Sequence, residues 1–324
     1  MLANTVYPEF RNGNLKWLAS EIQDGVTVFG NSWYVDAGVG SDSNVGNTPT
    51  TAFATIGAAV AAAATNNDDV IFLSASSTAH VQTSMLTVSK SRLHFVGTGI
   101  GNRKYGQRAR ITMGVTTDTA DVFMVKNTGV GNSFTNIKFA NGNTLTQNVA
   151  AVGEGGEYAS YNNCEFYDST RLNSDTHAEV VCNGDSAQFF NCTFGSLADS
   201  VSGDKIRPAI LLTAGTVGSG LVSRDVLFDG CKFWKNAGGT TTAMIKGAAT
   251  DVERVMEFHD CQFVANVLGA QPAVAIDVAT LTVGQIILTG DTCSFECTKI
   301  ATATGVLSGL PARVATATIG IQAT

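Results

Sequence analysis

The sequence predicts an all-β chain wound as a parallel β-helix of about eight rungs behind an N-terminal capping helix. Three observations carry this. A short phrase recurs, an apolar run precedes each copy, and the composition suits strands rather than helices. The phrase is an aromatic, one residue, Asn, Asp or Gly, Cys, one residue, then Phe. It appears as Tyr161-Asn162-Asn163-Cys164-Glu165-Phe166, Phe189-Phe190-Asn191-Cys192-Thr193-Phe194, Phe228-Asp229-Gly230-Cys231-Lys232-Phe233 and Phe258-His259-Asp260-Cys261-Gln262-Phe263. Phe134-Thr135-Asn136-Ile137-Lys138-Phe139 precedes them with Ile for Cys, and Cys293-Ser294-Phe295 is a weaker echo. The markers at 137, 164, 192, 231, 261 and 293 step by 27, 28, 39, 30 and 32 residues, a solenoid period.

Alternation along a strand turns the first aromatic inward and the next residue outward, and Asn, Asp or Gly accepts a left-handed bend. After the bend, Cys and the final Phe face inward again. Two strands therefore meet at a tight corner. A third strand per repeat comes from upstream runs such as Val149-Ala150-Ala151-Val152 and Ala209-Ile210-Leu211-Leu212. Three short strands per repeat suit a β-helix rung better than a propeller blade or a helix pair. Cys164, Cys192, Cys231 and Cys261 should then stack as an internal thiol column about 4.8 Å apart, as small buried hydrophobes.

The order along the chain follows. Residues 1–30 are a leader and attachment arm, with a short helical turn containing Trp17, a candidate partner contact. Residues 31–68 are a cap. Within it a helix is expected from Ala52 to Ala64, with Phe53, Ile56 and Val60 on one face, capped by Thr50 or Thr51 and ended near Asn66-Asn67. Residues 69–300 are the β-helix, and 301–324 a last rung and tail.

Composition narrows function. The chain is 44% hydrophobic and only 15% charged, with a formal net charge of −7. An acidic chain without a Lys/Arg-rich run lacks the electrostatic footprint of a nucleic-acid binder. No apolar stretch is long enough to span a bilayer, and the first twenty residues carry no secretory signal. Synthesis in a cytoplasm without export is expected.

Candidate chemistry is sparse. Four residues before the first aromatic of each phrase stand Val130, Glu157, Asp185, Arg224 and Arg254. Glu157 and Asp185 should be neighbours on adjacent rungs, at a separation suited to a retaining glycosidase. The competing reading is a surface ladder of acid, acid, Arg, Arg compensated by ion pairing. Tyr167 and Trp234 follow the terminal Phe of their corners and should project from one face, as a subunit interface or a sugar-stacking platform. Asp36 and Asp42, with Asn44 and Asn47, are oxygen-rich enough to admit Ca²⁺, although their Gly/Asn setting already explains them as a turn. No other cofactor or metal is expected. The four histidines do not converge and read as outward or turn residues, and Arg207 reads as loop charge.

Trp33-Tyr34-Val35-Asp36 through Thr51-Ala52-Phe53-Ala54-Thr55-Ile56-Gly57-Ala58-Ala59-Val60, then Asp69-Val70-Ile71, resembles the opening of right-handed parallel β-helix proteins of the pectate-lyase-like superfamily, common in bacteriophage proteins. With the Asn-Cys-x-Phe corners the resemblance covers roughly residues 33–300. It implies the fold and its right hand, but little about activity, since that scaffold carries lyases, hydrolases, tailspikes and inert virion parts. The Asn-Thr-Asp and Gly-His-Gly signatures of its polygalacturonase-like members are absent. The resulting expectation is a homotrimeric virion-surface protein, a capsid decoration or head-fibre component. Its partner would be the major capsid protein or another virion protein. The alternative is a tailspike or depolymerase that cleaves or binds host surface glycan, with Glu157 and Asp185 as its carboxylates.

Overall fold

The computed structural model describes residues 30–99, 109–114, 122–142, 149–168, 174–195, 207–213, 217–218, 222–235, 243–265, 273–278, 281, 284–290, 293–297, 299–301 and 307–308. Strand follows strand around three parallel sheets. Among the described residues, sheet 1 has ten strands from Ser32–Val35 to Leu307–Ser308, sheet 2 eight from His80–Gln82 to Ser294–Phe295, and sheet 3 eight from Leu86–Val88 to Lys299–Ala301. One full coil runs Ile137–Asn141 in sheet 2, Ala150–Glu154 in sheet 3 and Ser160–Asn162 in sheet 1, and then re-enters sheet 2 at Glu165–Asp168. Each strand inside a sheet pairs with its equivalents one coil earlier and one coil later, for example Phe134 with Tyr161 and Tyr161 with Phe189. The protein is a right-handed parallel β-helix, the hand that parallel crossovers overwhelmingly adopt.

The repeated phrase is the corner from sheet 1 to sheet 2. Asn136, Asn163, Asn191, Gly230 and Asp260 have φ of 57, 51, 52, 61 and 49°, the left-handed bend that Asn, Asp and Gly tolerate best. At each bend the backbone N–H donates to a carbonyl of the next coil, as Asn163 does to Phe190 and Asn191 to Asp229. A second left-handed column, Gly131, Tyr158, Ser186 and Asp225, marks the corner from sheet 3 to sheet 1. No shared residue type marks that corner in the sequence.

Register turns periodicity into stacks. Phe95, Phe134, Tyr161, Phe189, Phe228 and Phe258 form one aromatic column with centroids 4.8 to 4.9 Å apart. Phe139, Phe166, Phe194, Phe233, Phe263 and Phe295 form a second at 4.8 to 5.2 Å. The columns meet edge to face, as between Phe189 and Phe194 at 65°. Each buried ring contributes roughly 2 kcal/mol of transfer free energy, and each ring pair about 1 kcal/mol more. Beside them Cys164, Cys192, Cys231 and Cys261 are buried free thiols, each Sγ 3.2 to 3.4 Å from a sheet 1 carbonyl of the preceding coil. The expected thiol column is present.

The capping helix is shorter than expected. Pro49–Thr51 is a single 3-10 turn capped by Thr48, and the α-helix, α1, is only Ile56–Ala62, capped by the Thr55 hydroxyl. Phe53 is excluded because its backbone bridges Val35, and because the Asp42 carboxylate takes the Ala54 and Thr55 N–H groups at 2.9 Å. Ile56, Ala59 and Val60 bury against the coil end. Lys90 Nζ donates to the Val60, Ala61 and Ala63 carbonyls at 2.6 to 2.8 Å, placing a cation on the negative end of α1. Asp69 ties the cap down by accepting from Asn31 N, Trp33 Nε1, Ala64 N and Asn67 Nδ2 at 2.7 to 3.0 Å. The strand Ser32–Val35, inside the region read as cap, pairs with Asp69–Leu73 and so extends sheet 1. Trp17 and the rest of the leader up to residue 29, and the tail other than Ala301 and Leu307–Ser308, lie outside the described residues.

Candidate functional site

Glu157 and Asp185 lie side by side on adjacent coils, and Asp185 bridges onward to Arg224. The ladder departs from expectation at its last step. A bulge between Arg224 and Val226 sets Arg224 opposite Glu253 rather than Arg254. The arginines close on acids: Arg224 Nε lies 2.7 Å from Glu253, and Arg224 Nη1 3.7 Å from Asp185. Arg254 Nη2 lies 3.3 Å from Asp185 and 2.9 Å from Asp225. Asp185 is therefore clamped between two guanidinium groups and acts as a charge-pairing carboxylate. Glu157 enters no ion pair among the described residues.

Tyr167 and Trp234 lie half-buried on the outer face of sheet 2, in register with Ala140 and Val264 respectively. Gly195 separates them, and a Cβ there would come within 2.3 Å of the Trp234 carbonyl, so the column keeps a notch between its two aromatics. Lys232 Nζ sits 3.9 Å over the Trp234 ring. Asp36 accepts from Gly38 N at 2.8 Å, and both Asp42 oxygens serve the start of α1, so backbone groups already use these carboxylates. Among the described residues no three His, Cys, Asp or Glu side chains gather as a metal site.

Several charged side chains are interior, among them Arg207, which the sequence had placed in a loop. Glu179 and Arg207 are fully buried, joined at 2.8 to 2.9 Å, with the buried Lys235 ammonium 3.2 Å from the same carboxylate. Arg207 is thus a lumen residue, not loop charge, and the shared Glu179 carboxylate offsets part of the cost of burying the two cations. Glu154 lies wholly inside, accepting from Tyr161 Oη at 2.5 Å, Asn127 Nδ2 at 2.9 Å and Gly156 N at 2.6 Å. Its signal in the sequence is a lone acid closing the apolar run Ala150–Glu154. His80, which opens the strand His80–Gln82, and His177, which directly precedes Ala178–Cys182, are also buried, with His80 Nε2 3.0 Å from the Ser74 carbonyl. Burial lowers the pKa of His80.

A 460 Å³ cleft opens on the outer face of sheet 3. Val149, Val181 and Leu211 line it with Asp175, Thr176, Lys246 and Asp251. The Lys246 ammonium pairs with Asp175 and holds that carboxyl below its usual range. No sequence signal marks this cleft, because its members come from four separate coil segments.

The chain is similar to a pectate lyase of known structure, with TM-score 0.55 and 14% identity over 80% of this chain and 62% of that one. The fold is that of the pectate-lyase-like β-helices. Pectin methylesterase PemA from Erwinia chrysanthemi matches with TM-score 0.54 and 14% identity over 85% of this chain and 81% of its own. A Geobacillus virus E2 protein is more distant, at TM-score 0.46 and 12% identity over 88% of this chain and 56% of its own. No family model and no curated protein matches the chain by sequence. The match spans less than two thirds of the pectate lyase, and identities this low convey architecture rather than activity.

Proposed function

We propose that this chain is a structural component of a bacteriophage particle, a homotrimeric rod serving as capsid decoration or head fibre at the virion surface. The observation that carries this reading is the state of Asp185. A depolymerase built on Glu157 and Asp185 needs both carboxylates free to act on a sugar, whereas Asp185 is engaged by Arg224 and Arg254. The phage-type opening sequence and the acidic net charge of −7 agree with a protein partner rather than nucleic acid. The outer face of sheet 2 around Tyr167 and Trp234 is the surface proposed for contact between copies. Binding only the assembled shell would stabilise it by mass action.

The depolymerase reading rests on the side-by-side placement of Glu157 and Asp185. One experiment separates the two. The purified chain is incubated with capsids lacking decoration and, in parallel, with host surface polysaccharide. Saturable capsid binding without released oligosaccharide supports the structural role. Oligosaccharide release that disappears in Glu157→Gln overturns it in favour of the enzyme.

A further inference from the structure

The outer face of sheet 1 holds a constellation apart from the ridge of ion pairs. Three consecutive coils each supply one member. Asp68 immediately precedes the strand Asp69–Leu73, His94 lies in Leu93–Gly97, and Ser133 opens Ser133–Thr135. Val70 stands opposite His94, and His94 opposite Ser133. In-register parallel strands hold equivalent side chains about 4.8 Å apart, a gap that one imidazole ring can bridge. His94 Nδ1 lies 2.9 Å from Ser133 Oγ, and His94 Nε2 lies 3.3 Å from Asp68 Oδ1. Arg92 fixes Asp68 from the other side, its Nε donating at 2.8 Å to Oδ1 and its Nη2 to Oδ2.

The protonation pattern follows from the partners. Burial alone would raise the Asp68 carboxyl, but hydrogen bonds from Arg92 and His94 outweigh it and hold the group below its usual range, so Asp68 is ionised and can only accept. The imidazole hydrogen therefore sits on Nε2, which leaves the Nδ1 lone pair facing the Ser133 hydroxyl. Burial also lowers the pKa of His94, keeping the ring neutral near pH 7 and able to take a proton. The His94 and Asp68 side chains are 14% and 23% exposed, shielded from bulk water yet open on one side. Ser160 is next to Ser133 in the same outward column, offering a second hydroxyl beside the point of attack.

A nucleophile bonded to a base, and that base bonded to a carboxylate which fixes its tautomer, is the arrangement that activates serine. We propose that Ser133, His94 and Asp68 form an acyl-transfer site that hydrolyses esters of small acyl groups. Ser133 is the nucleophile, His94 the general base and Asp68 the positioning residue. Ser133 Oγ bonds to the ester carbonyl carbon as its proton passes to His94 Nδ1. The carbon–oxygen bond to the alcohol then breaks, and the alcohol leaves with that proton. Water attacks the acyl-serine and gives a proton to His94. His94 returns that proton to Ser133 Oγ as the carboxylic acid departs. The setting on an open sheet face suits a small acyl group on an exposed ester. The inference goes beyond the virion reading and does not depend on it.

The test uses the purified full chain with p-nitrophenyl acetate and a fluorophosphonate probe between about pH 6 and 9, the range in which a histidine base titrates. The expected result is a fluorophosphonate adduct on Ser133, located by mass spectrometry. Hydrolysis should fall to background in Ser133→Ala and on the order of 100-fold in His94→Gln. Asp68→Asn, which disturbs the tautomer, should shift the pH limb of the remaining activity. Wild-type protein that forms no adduct at Ser133, or hydrolysis equal in wild type and Ser133→Ala, overturns the proposal. The adduct is read on wild-type protein, so a variant that fails to fold does not obscure the answer. No particle enters the assay, so its failure leaves the structural reading standing.

Discussion

Glu154→Gln should remove a pH dependence built into the lumen. Burial pushes the Glu154 carboxyl up from 4.5 to about 7, against the opposing hydrogen bonds from Tyr161, Asn127 and Gly156. In the unfolded chain the group ionises at its ordinary value, while in the fold it holds its proton until near neutrality. The folded protein is therefore favoured below about pH 4.5 and progressively loses that advantage as pH rises to about 7. At about 1.4 kcal/mol per pH unit, the loss reaches about 3 kcal/mol. A glutamine cannot ionise, and its amide nitrogen faces either the Gly156 N–H or the Tyr161 and Asn127 donors, forfeiting at least one bond at a pH-independent cost of about 1–3 kcal/mol. The variant should thus be less stable than wild type in acid, and level with it or more stable above neutrality. Urea unfolding followed by tryptophan fluorescence from about pH 4.5 to 8.5 measures this, because other titrating groups cancel in the difference between the two proteins. Parallel stability curves for wild type and Glu154→Gln would refute the reasoning.

Three further outcomes are expected. Phe228→Ala removes a ring stacked at 4.9 Å on both Phe189 and Phe258 and should cost about 3–5 kcal/mol, read from the urea midpoint. Asp69→Ala strips four donors of their acceptor and should loosen the cap first, raising hydrogen exchange at Ala64 and red-shifting Trp33 emission by exposing the indole. The thiols of Cys192, Cys231 and Cys261 are buried, and burial is the main cause of their raised pKa values, so a thiol-specific disulfide reagent should leave them unmodified at pH 8 until denaturant is added. Rapid modification in the native protein would contradict the internal column.

What repeats in the sequence repeats in space. The aromatic pair, the left-handed Asn, Asp or Gly and the Cys are each set by one short-range rule, and parallel register carries them into columns whatever the loop length between. The fold, the sheet 1 to sheet 2 corner, the thiol ladder and the adjacency of Glu157 to Asp185 could therefore be read directly from residue order. The helix boundary was not, because Phe53 was drawn into a bridge with Val35 by contacts no local propensity records. The bulge that turns Arg224 toward Glu253 arises where one strand holds an extra residue, a property of the pair rather than of either segment.

Two of the three residues of the proposed acyl-transfer site had a signal. His94 and Ser133 each directly precede an inward aromatic, Phe95 and Phe134, so strand alternation turns both outward, and the register of the two strands sets them side by side. Asp68 had none, because it reaches His94 from a corner and not from an equivalent strand position. The sequence by itself determined the coiled ribbon and its inward columns, since these depend on periodicity alone. Tertiary structure decided which charges are buried, as with Glu154, Glu179, Arg207 and Lys235, and which polar groups meet across coils. Those outcomes depend on loops of unequal length bringing unlike residues into contact, and no period encodes that.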